Sequence, residues 1–103
     1  MADPMRIRAT MAGDKVDVKI LMAHPMETGL RKNPDGTTVP EHYIDTVTVS
    51  CKGKTVLSAD WGPAVSKNPY LAFRFSGAAK GDMVSVTWKD TRGETRTDEA
   101  AIA

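Results

Sequence analysis

Apolar side chains fall at every second position in four separate stretches of this chain. A period of two is the spacing of a half-buried β-strand and excludes an amphipathic helix. Val16, Val18, Ile20 and Met22 alternate with Lys15, Asp17, Lys19 and Leu21, so only Leu21 interrupts the polar face. Val47, Val49 and Cys51 oppose Thr46, Thr48 and Ser50 in the same way. Leu71, Phe73 and Phe75 alternate with Ala72, Arg74 and Ser76, and Val84, Val86 and Trp88 with Ser85, Thr87 and Lys89. Weaker alternation over Arg6 to Met11, Thr55 to Asp60 and Thr95 to Ile102 brings the expectation to about seven strands. Lys52-Gly53-Lys54 and Thr91-Arg92-Gly93 read as tight hairpins, because glycine supplies the positive φ such turns need. Ala12-Gly13-Asp14 and Gly77 to Asp82 are also turn-like. Seven short strands in 103 residues predict an all-β fold, an immunoglobulin-like two-sheet β-sandwich of antiparallel strands. A core this small cannot be divided, so residues 1–103 form one domain, with residues 1–5 given no structural weight.

Charge narrows the function classes. Fourteen Lys and Arg against 13 Asp and Glu give a net charge of +1, without the basic excess that nucleic-acid binding requires. The longest apolar run, Ile20 to Ala23, is far short of a membrane span. One cysteine allows no internal disulfide, and the start of the chain has no apolar signal-peptide core.

Two stretches do not alternate. His24 to Pro40 carries three prolines and two glycines in 17 residues, and Trp61 to Pro69 holds Pro63, Asn68 and Pro69 beside an indole. Loops of this length inside a small domain are where function concentrates.

Reactive chemistry finds little support in the residues. Cys51 follows Val47 and Val49 at strand spacing, which points it into the core, where thiols are inert; the alternative is an edge thiol at a subunit contact. No nucleophile elbow, zinc-protease helix or phosphate loop is present. Asp90, Glu94, Asp98 and Glu99 gather around a hairpin and tail, as on a solvated face. No His follows Cys51, which excludes a blue-copper arrangement. His24-Pro25-Met26 with Glu41-His42-Tyr43-Ile44 resembles two ligand-bearing segments of superoxide reductases, which hold non-haem iron on an immunoglobulin-like sandwich. That family uses four His and a Cys-x-x-His pair, whereas this chain has two His in all. The plainer reading makes His24 a turn residue before Pro25 and His42 a polar residue entering a strand. No metal or cofactor is therefore expected, and an iron protein of that type stays as the alternative.

Binding surface remains. Met22, Met26, Trp61 and Tyr70 are candidates for an exposed apolar patch rimmed by Arg31 and Lys32, since aromatic and Met side chains are enriched at interfaces. Equally, Trp61 can plug an open end of the sandwich and Tyr70 begin a core strand.

His24-Pro25-Met26-Glu27-Thr28-Gly29, then Arg31-Lys32, Asp35-Gly36 and Val39-Pro40, resembles the signature loop of the SoxZ family of bacterial sulfur-oxidation proteins. Ser58-Ala59-Asp60, Pro63-Ala64-Val65-Ser66 and Asn68-Pro69-Tyr70-Leu71 are similar to the family's second loop, and Thr87-Trp88-Lys89-Asp90 to its late hairpin. The resemblance runs from about Arg6 to the C-terminus. It implies a non-catalytic immunoglobulin-like subunit, without cofactor, that forms a heterodimer with SoxY, the protein whose Gly-Gly-Cys-Gly-Gly arm carries the sulfur intermediate in thiosulfate oxidation. It further implies transient docking to Sox enzymes and a periplasmic location reached by export with SoxY, which fits a signal-free start. The chain's end, Glu99-Ala100-Ala101-Ile102-Ala103, has no Gly and no Cys, so the carrier thiol is expected on the partner. His24, Pro25, Met26, Glu27, Thr28, Gly29 and Arg31 are the expected partner-binding loop, with Trp61, Asn68, Pro69 and Tyr70 beside it. Without SoxY, the apolar face is expected to seek a second copy of the chain.

Overall fold

A computed structural model describes residues 4–62, 65 and 67–103. Seven strands form: β1 (Arg6–Ala12), β2 (Lys15–Leu21), β3 (Ile44–Cys51), β4 (Lys54–Asp60), β5 (Tyr70–Ser76), β6 (Met83–Asp90) and β7 (Thr95–Ala101). They pair antiparallel into a three-stranded sheet, β1-β2-β5, facing a four-stranded sheet, β4-β3-β6-β7. The chain is therefore the all-β, immunoglobulin-like sandwich that its alternation predicts.

The inward positions read from the sequence are the ones the fold buries. Val16, Val18, Ile20 and Met22 from the β2 segment face Val47, Val49, Val84, Val86 and Trp88, all at most 1% exposed. Each such side chain contributes on the order of 1.5–3 kcal/mol by leaving water. Met22 thus belongs to the core and not to a surface patch. Met5 is buried as well, and its backbone N–H donates to Asp98 Oδ2 at 2.9 Å, so this residue enters the fold despite its place at the chain's start.

The two flanks of the sandwich differ. On one, Met11 N–H donates to Ala103 O and Ala103 N–H to Ala9 O, joining the tail after β7 to β1. On the other, no backbone hydrogen bond joins β4 to β5 among the described residues. The inward side chains there, Val56, Leu57, Leu71, Phe73 and Phe75, pack on the core yet stay half-exposed.

The segment from His24 to Pro40 is an arm and not a shapeless loop. Glu27 and His42 exchange backbone hydrogen bonds of 2.7 and 2.9 Å, and Val39 N–H reaches Arg31 O at 2.8 Å. Asn33 and Thr37 close its tip, where Asp35 takes both the Thr37 N–H and hydroxyl. The molecule measures 54 × 21 × 20 Å. Strands of seven or eight residues span only about 25 Å, so loops and arm supply much of the long axis.

Candidate functional site

Asp90 closes β6 at the inward register that Val84, Val86 and Trp88 begin, and its side chain is fully buried. This corrects the expectation of a solvated hairpin carboxylate. Two histidines reach it from the loops at the same end of the sandwich. His24 Nε2 lies 3.0 Å and His42 Nε2 2.6 Å from the same oxygen, Asp90 Oδ2. The other oxygen, Oδ1, accepts the Arg92 and Glu94 backbone N–H groups at 2.9 and 3.0 Å and so shapes the β6–β7 turn.

The protons in this cluster follow from geometry. Met26 N–H donates to His24 Nδ1 at 3.1 Å, which makes Nδ1 an acceptor and puts the His24 proton on Nε2, facing Asp90. Burial pushes the Asp90 carboxyl up, but hydrogen bonds from His24, His42, Glu94 and Arg92 outweigh it and hold the group below the usual aspartate range. An ionised Asp90 therefore receives a proton donor from each ring. The His24 ring stands edge-on to His42, with centroids 4.5 Å apart, and edge-on to Trp88 at 5.1 Å.

The loop is held in an unfavourable backbone conformation to achieve this. Met26 has φ 50°, a region costly to side chains other than Asn and Gly. Three contacts over-determine it: its N–H meets His24, its Sδ accepts Ile44 N–H at 3.3 Å, and its side chain is 5% exposed. Met26 is accordingly an internal anchor, correcting its placement on a surface patch. Asn68, at φ 52°, clamps His24 by accepting its N–H on Oδ1 (3.1 Å) and donating its own N–H to His24 O (2.9 Å). Pro69 O takes Met22 N–H at 2.9 Å.

The two predicted loops are thus neighbours, though their residues divide by exposure. His24, Met26 and Pro69 are buried, Glu27, Thr28, Gly29 and Trp61 half-buried, and Pro25, Arg31, Asn68 and Tyr70 exposed. Arg31 holds Glu27 with two hydrogen bonds of 2.6 and 3.1 Å along the arm. Trp61 packs on the core with its N–H on Asp45 O, whereas Tyr70 is 60% exposed. Pro63, Ala64 and Ser66 lie outside the described residues.

Among the described residues, His24, His42 and Asp90 form the cluster of metal-ligating types, with ligand atoms within 4.8 Å of one another. Two imidazoles and a carboxylate can bind a divalent cation. Here both Nε2 protons are committed to Asp90 Oδ2, and His24 Nδ1 is committed to Met26, so the three groups satisfy one another. Cys51 cannot join them. It sits at the far end of β3 from Ile44, about 23 Å away at 3.3 Å per residue. The thiolate and imidazoles of a superoxide-reductase site are not assembled, and the iron reading loses its sulfur ligand. Cys51 is itself 4% exposed, and burial, reinforced by the Asp82 charge, pushes its thiol up despite Lys52.

An immunoglobulin-like sandwich with a buried His-Asp-His clasp at one end and a hairpin arm above it defines the class of protein. Solved structures share the fold. A hypothetical protein from Pyrococcus horikoshii matches at TM-score 0.66 and 18% identity, over 99% of this chain and 89% of that one. A superoxide reductase (neelaredoxin) from Archaeoglobus fulgidus matches at TM-score 0.62 and 16% identity, over 97% and 86%. A superoxide reductase in the oxidised state matches at TM-score 0.64 and 15% identity, over 96% and 86%. At these identities the likeness is one of fold. No curated protein matches in sequence. The family model described as sulphur oxidation protein SoxZ matches residues 5–101, and the chain belongs to that family. It is a subunit of the sulfur-oxidation Sox system.

Proposed function

We propose that the chain is the non-catalytic half of a sulfur carrier, pairing with a SoxY-type protein whose cysteine bears the intermediate, and helping to dock the pair on Sox enzymes. The observation that carries this reading is the burial of the chain's single thiol and of the His24–Asp90 pair. Cys51, His24 and Asp90 lie inside the fold, and the thiol is held protonated by its surroundings. A thiol in that state is a poor nucleophile, so the sulfur chemistry falls to the partner.

The surface supports a pairing role. A permanent heterodimer buries roughly 2,000 Å² or more in total, and half of that is about a sixth of this chain's 6276 Å² surface. The half-exposed Leu71, Phe73 and Phe75 beside β4 supply apolar area for that contact. The arm, with Leu30 83% exposed next to Arg31, suits the weaker contacts with visiting enzymes. A periplasmic location through export with SoxY belongs to the same reading.

Co-expression with a SoxY-type partner tests it. The expected outcome is a stable one-to-one complex that carries the sulfur adduct on the partner's cysteine, with Cys51 unmodified and no iron in tag-free protein. An adduct on Cys51, or superoxide turnover by the iron-loaded chain alone, overturns it.

A further inference from the structure

The outward face of the three-stranded sheet is organised in cross-strand rows. Register places Arg6, Leu21 and Tyr70 in one row, Arg8, Lys19 and Ala72 in the next, and Thr10, Asp17 and Arg74 in the third. The third row is neutralised internally, because Arg74 pairs with Asp17. The second is not. Arg8 stands directly opposite Lys19, and among the described residues neither has a carboxylate within ion-pairing distance. Like charges directly opposed across a strand pair oppose folding. The chain accepts that opposition beside two of its most exposed large apolar side chains, Leu21 at 42% and Tyr70 at 60%.

The first two rows also border a depression of about 280 Å³, lined by Arg6, Ile7, Arg8, Lys19, Leu21 and Tyr70. A second, of about 350 Å³, shares Arg6 and Leu21 and continues past Ala23 to Asn68, at the base of the arm. The groove therefore has an apolar floor, three cations on its rim that form no ion pair among the described residues, and a course toward the clamped loop. That combination fits a ligand with carboxylates to meet the rim and an aliphatic or aromatic side chain to cover Leu21 and Tyr70.

We infer that this face is a docking groove for an acidic, apolar-bearing segment of a partner protein. The inference goes beyond the carrier reading, since no sulfur step enters it, and it holds or fails on charge and shape alone. The cations recruit and orient the segment, and the Leu21 and Tyr70 step retains it.

The probe is a synthetic peptide of alternating glutamate and leucine, titrated into the full chain with amide NMR detection and compared with a lysine and leucine peptide. The inference expects shifts centred on Arg8, Lys19, Leu21 and Tyr70 with the acidic peptide alone, weakening at least fivefold between 50 and 300 mM salt. Arg8→Glu/Lys19→Glu keeps a like-charge pair across β1 and β2 while weakening the acidic peptide at least tenfold. Arg8→Glu alone raises the unfolding midpoint, by pairing with Lys19, and still loses binding; a purely structural role predicts no such opposition. Shifts that spread evenly over the surface, or variants that bind as tightly as the parent, overturn the inference. Tighter binding to phosphatidylglycerol vesicles or to single-stranded DNA than to the peptide also overturns it.

Discussion

Removing the Asp90 carboxylate is expected to cost the chain a large part of its stability. Asp90→Ala deletes four accepted hydrogen bonds, two from imidazoles and two from backbone N–H groups of the β6–β7 turn. It also strands His24 Nε2–H, which is buried and cannot change tautomer without releasing Met26 N–H. Hydrogen bonds to a charged group are worth about 1.5–3 kcal/mol each, and an orphaned buried donor adds about 1–3. The bonds share one carboxylate and do not add, so the expected loss is about 3–5 kcal/mol. For a domain of this size, whose total stability is of order 5–15 kcal/mol, that lowers the unfolding midpoint by at least about 12 °C. Denaturant unfolding at pH 7 gives the loss directly. A loss under about 1 kcal/mol refutes the clasp as described.

The pH profile supplies a second readout of the same change. Asp90 is held below the ordinary aspartate value of about 3.9 in the folded chain. The folded state therefore prefers the ionised carboxylate, and the unfolded state binds more protons in that window. Its contribution is present in full above about pH 4 and is lost as pH falls through the lower, folded value. Asp90→Asn keeps the shape of the side chain but cannot titrate. Its stability is expected to fall less steeply than the parent's below pH 4, and equal acid slopes refute the assignment.

Other expectations are simpler. Cys51 is expected to react with a thiol reagent at least a hundredfold more slowly in the native chain than in denaturant, because it is buried and its thiol is pushed up. Gly29→Ala forces a residue with a Cβ into φ 84°, with that Cβ 3.2 Å from Glu41 Cβ. The expected cost is about 1–2 kcal/mol, read as lost hydrogen-exchange protection at the Glu27 and His42 amides. Met26→Ala removes a buried core side chain and is expected to cost about 2–4 kcal/mol in denaturant unfolding. Arg8→Glu replaces a like-charge cross-strand pair by an opposite one and is expected to gain about 0.5 kcal/mol in the same assay.

The strands were legible because each inner face repeats at a period of two, which no other structure produces. The same spacing extends to Asp90, which the structure shows continuing Val84, Val86 and Trp88 on the inner face. Its charge argued for solvent, and only the approach of two imidazoles from loops 48 and 66 residues away in sequence resolves that conflict. Such pairings leave no local pattern. Met26 was misplaced for a related reason: a methionine in a Pro- and Gly-containing loop looks exposed until its backbone is known to turn through positive φ and drive it inward. Arg8 and Lys19 each look like ordinary surface cations in sequence. Their opposition becomes visible only when β1 and β2 are placed in register.

Clasp and arm are coupled, and the coupling limits what variants can reveal. Met26 keeps its costly φ only while His24 Nδ1, Ile44 N–H and the core hold it. Opening the Asp90 cluster therefore frees the base of the arm, and a partner that binds the ordered arm must stabilise the cluster by the same free energy. A clasp variant weakens such a partner only by the fraction of molecules that lose the ordered form. If roughly half remain ordered, the apparent Kd rises about twofold. A variant at an exposed side chain of the arm such as Leu30, 83% exposed, leaves that population untouched and alters affinity directly where a partner covers it. Asp90→Asn should therefore reduce stability by much more than it reduces partner affinity, whereas Leu30→Asp should do the reverse. A large affinity loss in Asp90→Asn at temperatures where the chain is fully folded would place Asp90 itself in the contact, which its complete burial forbids.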